Sequence, residues 1–334
     1  MPIFDAYLMV DWSANSTPKT GRDSIWAAWG RFDNEPPRTV NLPTRQRAKE
    51  AIAALLAEAV TRNLRVLVGF DFAYAYPRGF ARLLGLEAGK EAWRRVWKAI
   101  ADEIHDDEGG VPNANDRFAA AGRLNKKVGI SSFVGPFWAC PTDRVNWLSM
   151  KKPDFGSMAE DRKVSEFRRA ELQLQEDGNV TIQSAWKLFT SGSVGSQTLL
   201  GIPVVRSLVD QFEEHSLVWP FQTGFTSGPR RSPLLLHAEI WPGILGPIPE
   251  SSPFICRDQA QVFALVSVFR RLDQEGELEN LFAPNCLDGS KDLRALEDEE
   301  GWILGAGIAI EVTEKIRGWA EDAIGEYSSP LISW

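Results

Sequence analysis

Two apolar runs in this chain each stop on an aspartate. Residues 4–12 read Phe-Asp-Ala-Tyr-Leu-Met-Val-Asp-Trp and deliver Asp11, and residues 64–72 read Leu-Arg-Val-Leu-Val-Gly-Phe-Asp-Phe and deliver Asp71. A carboxylate at the end of a buried run is costly unless it is paired, hydrogen-bonded or bound to a metal. Carboxylates that converge from neighbouring strands suit a hard divalent cation, Mg²⁺ or Mn²⁺, which takes oxygen ligands and keeps several waters. Two such ions about 3.5–4 Å apart can activate a water and stabilise the leaving oxygen of a phosphodiester. Two later acids are placed to join the pair: Glu239 in the apolar stretch 234–240, and Asp258 at the head of a helix-like stretch. The expected catalytic set is Asp11, Asp71, Glu239 and Asp258, with Asp11, Asp71 and Asp258 as metal ligands.

Each acid also has a plainer use. Asp11 can open an Asx-type turn with Ser13, Asp71 can take backbone amides at a strand end, Asp258 can cap a helix, and Glu239 can be an edge-strand charge. Asp11 and Asp71 together say more than either alone, because both end apolar runs in matching positions. Candidate substrate contacts are Ser13 and Lys19, in the loop after the first acid, and Arg123 and Lys126, in a basic stretch that equally fits a solvated helix face. The small-residue loop 191–196 could cradle phosphate with backbone amides, but it lacks the lysine of a P-loop and fits a plain connector better. Residues 133–138 could line a pocket for a flat ring or simply pack in a core. Cys140 and His237 fit packed core positions.

The elements that must position these acids follow from pattern. Residues 6–11 form a strand, 13–21 a loop rich in turn formers, 24–31 a second strand and 39–42 a short third. Thr44 is an N-cap candidate. Ala51, Ile52, Leu55, Leu56, Ala59 and Val60 then recur at three- and four-residue steps, which predicts an amphipathic helix over 45–63. Residues 64–71 form the next strand, apolar enough to be covered on both faces. Residues 79–105 and 160–175 look helical, 234–240 returns to strand, and 258–273 and 308–324 are late helices. The expected division is a core of residues 1–78 and 234–334, with 79–233 as a mostly helical insertion that forms a cap or pocket wall.

Composition narrows the class. The chain has 334 residues, 44% hydrophobic and 25% charged, with 13 tryptophans, ordinary for a globular protein apart from the aromatic load. Three widely spaced cysteines and three histidines argue against a disulfide framework and a zinc site, and fit a cytoplasmic setting. The N-terminus lacks a basic segment followed by an apolar core, so no signal peptide is expected. No run nears the ~20 apolar residues of a membrane span. A net charge of −8 disfavours broad electrostatic contact with nucleic acid but leaves room for a local groove. Oligomeric state is not readable from the sequence.

Strand, strand, strand, helix, strand, with acids on the first and fourth strands, is the order of an α/β ribonuclease H-like mixed sheet. The motifs Val10-Asp-Trp-Ser13, Gly69-Phe-Asp-Phe72, Gly195-Ser-Gln-Thr-Leu-Leu-Gly-Ile-Pro203, Glu239-Ile-Trp-Pro242, Arg257-Asp-Gln-Ala260 and Glu300-Gly-Trp-Ile303 run in consistent order across nearly the whole chain. In them the chain resembles the uncharacterised prokaryotic family called domain of unknown function 429, placed in the ribonuclease H-like superfamily. Such relatives usually carry two acids at the late helix start, where this chain has Asp258-Gln259, which weakens a two-metal reading. Some sequences that open this way carry labels for cobalamin or molybdopterin cofactor synthesis, which no residue chemistry here supports. The resemblance and the acids together imply a Mg²⁺- or Mn²⁺-dependent phosphodiester hydrolase, nuclease-like, acting on nucleic acid or a nucleotide-like substrate. One rival is an ATP-dependent phosphotransferase or ATPase of the actin and sugar-kinase kind, which expects a glycine-rich turn after the first acid and a duplicated half. Here Trp-Ser-Ala-Asn follows Asp11 and no second half is found. The other rival is a non-catalytic binding module on the same fold.

Overall fold

The computed structural model describes residues 2–33, 35–129, 135–141, 147–158, 163–178, 182–190, 192–249, 252–287 and 292–327. Along the chain the elements are β1 (Ala6–Asp11), β2 (Ile25–Arg31), β3 (Arg38–Leu42), α1 (Arg45–Thr61), β4 (Arg65–Phe70), α2 (Phe80–Leu83), α3 (Ala92–Ala101), α4 (Arg117–Val128), α5 (Arg169–Gly178), α6 (Gly195–Gln211), β5 (Ser216–Val218), β6 (Leu234–Glu239), α7 (Arg257–Gln274), α8 (Leu293–Ala295) and α9 (Ile310–Gly325). The protein is thus α/β, as expected. It divides into two compact units. One comprises Met1–Asp71, Leu208–Gly289 and Ile303–Trp334, and the other Phe72–Ser207 and Ser290–Trp302.

The first unit holds a six-stranded mixed sheet in the order β3-β2-β1-β4-β6-β5. β1 pairs antiparallel with β2 and parallel with β4, and β4 pairs parallel with β6. Five of the six β1 residues and all of β4 and β6 are buried, as unbroken apolar runs require when both sheet faces are covered. α7 packs on β1 and β2. Its Gln259 donates to the Thr39 hydroxyl at 2.9 Å, and its buried Asp273 accepts from the Ile3 and Phe4 amides and the Tyr7 hydroxyl at 2.6–2.9 Å. Tyr7, Thr39 and every residue level with them therefore face α7. α1 opens at Thr44, whose hydroxyl oxygen accepts the Arg47 amide at 3.1 Å. It buries Ala48, Ile52, Leu56 and Ala59; of the predicted stripe Ile52, Leu56 and Ala59 are buried, and Ala51, Leu55 and Val60 lie at its half-buried edges.

The second unit packs an aromatic core. Tyr76 stacks on Trp186 with ring centroids 4.6 Å apart, and Phe80 and Phe137 meet the same indole edge-on. Phe137 is completely buried, so this part of the aromatic segment serves packing. Residues 133 and 134 lie outside the described residues. The stretch 79–105 resolves into two helices, α2 and α3, separated by irregular chain. α5 starts only at Arg169, later than the pattern over 160–175 suggests, and residues 160–162 of that pattern also lie outside the described residues. α6 forms where a loop and an unassigned stretch were read. It carries Pro203 internally, and Gly201 lies against the Phe72 ring where a Cβ would not fit.

Candidate acidic site

Strand pairing brings the two leading acids together. Val10 on β1 is level with Phe70 on β4, and the Asp71 amide continues the ladder by donating to the Val10 carbonyl at 3.2 Å. Asp11 and Asp71 thus leave the C-terminal ends of adjacent parallel strands. Asp11 is level with Trp26, two steps from Ala28 and four from Gly30. A Cβ at Gly30 would strike Val266 of α7, so this row points at the α7 face, where Asp258 occupies the first turn of that helix. Gly69, two residues before Asp71, is tightly enclosed by side chains on either side of β4. A Cβ there would lie 2.7 Å from both Ile240 and Met9.

Hydrogen bonds fix the acids individually. Asp71 Oδ1 accepts the Trp12 amide at 2.7 Å, and Asp258 Oδ2 accepts the Asp23 amide at 2.7 Å. Asp23 holds a left-handed φ of 54°, which a non-glycine residue adopts only where its surroundings require it. The loop between β1 and β2 is anchored from within. Arg45, 1% exposed, donates to the carbonyls of Ser13 (3.3 Å) and Asn15 (2.7 Å). Ser13 Oγ accepts from Asn15 Nδ2 at 2.7 Å and donates to the Asp23 carbonyl at 3.3 Å.

Electrostatics show how closely the acids share their space. Burial pushes the Asp11 carboxyl well above its usual range; the charge of Asp71 adds most to this, then those of Asp258 and Asp23, while Arg257 opposes them. Burial likewise raises Asp71 to about 7, with Asp258 and Glu239 adding to the rise and the Trp12 amide opposing it. Asp258 is raised by burial and restrained chiefly by the Asp23 amide. Asp11 and Asp71 nonetheless retain partial solvent exposure. Together they form a site where charge repulsion favours either a shared proton or a bound cation.

The other expected residues fall in different places. Glu239 is level with Phe70, and hence with Val10, so strand alternation aims its buried side chain at the face opposite Asp11. Lys19 lies 3.4 Å from Asp23, in the loop between β1 and β2. Ser13 is buried with its hydroxyl engaged in that loop. Arg123 and Lys126 belong to α4, in the second unit. Arg123 donates to Glu103 at 2.7 Å and Asp116 at 2.5 Å, which holds both carboxyls below their usual range despite their burial. Lys126 is exposed. His237 is buried on β6, 3.3 Å from the Ser216 hydroxyl, and burial holds its imidazole down to about 3. Two contributors were not singled out from sequence: Asp23, whose amide orients Asp258, and Arg257, whose charge reaches both Asp11 and Asp258. Among the described residues no group of three or more His, Cys, Asp and Glu side chains stands close enough to hold a metal ion. No helix among them is long and apolar enough to cross a membrane. Comparison of the chain with protein-family models, curated proteins and solved structures returned no match.

Proposed function

We propose that this chain is a divalent-cation-dependent phosphodiester hydrolase on a ribonuclease H-like sheet, with Asp11 and Asp71 as the protein ligands of one Mg²⁺ or Mn²⁺. The observation that carries the reading is the pair itself: two carboxyls at the ends of adjoining parallel strands, both raised by burial yet partly exposed. The strand order β3-β2-β1-β4-β6, with β2 antiparallel and β4 parallel to β1, supports the fold assignment. The donor set fits the ion. Mg²⁺ is commonly held by one or two carboxylates, with water and substrate oxygens filling its other positions. A pair is what the strands supply, and Asp258 gives one oxygen to the Asp23 amide instead. The reading is therefore of a single ion rather than two.

When bound, the ion supplies a Lewis acid for a phosphoryl oxygen and a water of lowered pKa. The chain does the rest. The Trp12 amide orients Asp71. Arg257 offsets part of the negative charge around Asp11. The loop pinned by Arg45 keeps the Asp23 amide on Asp258. Without an ion, the repulsive pair holds a proton near neutral pH. The test is hydrolysis of bis(4-nitrophenyl) phosphate and of short single-stranded oligonucleotides with Mn²⁺. The expected outcome is a loss of about a hundredfold or more in Asp11→Asn and in Asp71→Asn. Wild-type rates in both variants on every substrate that is cleaved would reject the proposal.

A further inference from the structure

A recess lies at the other end of the same sheet from the acids, on the face away from α7. Asp11 is level with Trp26 and Ala6 with Arg31, so the two sites are separated by five strand residues, ~17 Å along β1. The recess has a volume of about 410 Å³ and lies among the ends of β2 and β3 and the last turns of α1. Trp29 of β2 is level with Arg38 of β3, and Arg31 is two residues along β2, so all three side chains project from one face. Trp29 is partly exposed, and both arginines are exposed.

The placement of the charges around Trp29, rather than their sum, decides what the recess can hold. Arg62 is paired with Glu58 at 2.7 Å. The charge of Asp33 reaches Arg270, which also donates to the Asp33 and Glu35 carbonyls at 3.0 and 2.6 Å. Asp33 and Glu35 each bring a carboxylate, that of Asp33 accepting the Glu35 amide at 3.1 Å; beside them Arg31 and Arg38 have no ion pair or side-chain hydrogen bond to any described residue. Two guanidinium groups flanking an accessible indole suit a flat ring that carries an anion. The ring stacks on Trp29, and the anion takes charge-assisted hydrogen bonds from Arg31 and Arg38. The volume falls at the small end of ligand pockets and admits one ring system and one phosphate. We infer that this recess, bounded by Trp29, Arg31 and Arg38, is a binding site for a nucleoside monophosphate or a similar small aromatic phosphate, separate from the acidic site.

Calorimetric titration of the full chain with AMP tests the inference, with adenosine and inorganic phosphate as controls. The expected result is a Kd of about 1 mM or tighter for AMP, weaker binding of adenosine or phosphate alone, and a loss of about tenfold in Arg31→Ala and Arg38→Ala. Trp29→Leu should weaken AMP binding and leave phosphate binding unchanged. Circular dichroism confirms that each variant folds. Binding must survive in Asp11→Asn and Asp71→Asn, which separates this site from the acidic one. The inference is overturned if wild type does not bind AMP, if both arginine variants bind it as wild type does, or if only the aspartate variants lose it.

Discussion

Replacing Asp71 by asparagine should stabilise the protein at alkaline pH and not in acid. The ordinary aspartate value of 3.8 rises to about 7 in the folded state, chiefly because the group is buried. A difference of this size penalises the ionised folded form by about 4 kcal/mol. The sign follows from proton counting. Between 3.8 and about 7 the unfolded chain has lost the Asp71 proton while the folded chain keeps it, so unfolding releases a proton. Stability therefore falls as pH rises through this window and is level above it. Asparagine carries no charge at any pH, and its Oδ1 can still accept the Trp12 amide as the neutral carboxyl does. The net gain for Asp71→Asn is about 4 kcal/mol at pH 8, or roughly 5 °C or more in Tm, and near zero at pH 4. Urea unfolding of both proteins at the two pH values, in chelator, reads the difference. A variant less stable than wild type at pH 8, or equally shifted at both pH values, would refute the reasoning. It would show Asp71 to be an ordinary structural acceptor.

Two further outcomes follow from the framework around the acids. Gly69→Ala should lower stability by about 1–3 kcal/mol in urea unfolding, because its Cβ would lie 2.7 Å from Ile240 and Met9. Arg45→Met leaves the Ser13 and Asn15 carbonyls without their buried donor. It should cost about 2–3 kcal/mol and speed proteolytic cleavage of the loop between β1 and β2, which peptide mapping would detect.

Much of this framework was visible in the sequence, for identifiable reasons. Asp11 and Asp71 stood out because each ends an apolar run, and the parallel pairing of β1 with β4 makes neighbours of the two run ends. α1 showed its stripe because only one of its faces is buried. Glu239 was harder to place. β6 is apolar at nearly every position, so it has no alternation from which to read which face the acid takes. α6 went unread because Pro203 interrupts its pattern and its first turn is built of small residues. The roles of Asp23 and Arg45 rest on an amide in a left-handed turn and on carbonyl contacts across the loop, neither of which leaves a periodic trace. The recess at Trp29 depends on the register between β2 and β3, which fixes Arg38 opposite Trp29 only once the hairpin is formed.

The most direct measurement is a crystal of the protein soaked in Mn²⁺ at pH 8, with anomalous difference density calculated for the metal. A single peak about 2.1 Å from one oxygen each of Asp11 and Asp71 is the predicted result. No peak there, with the two carboxyls sharing a proton or turned apart, would contradict the cation site on which the proposed activity rests.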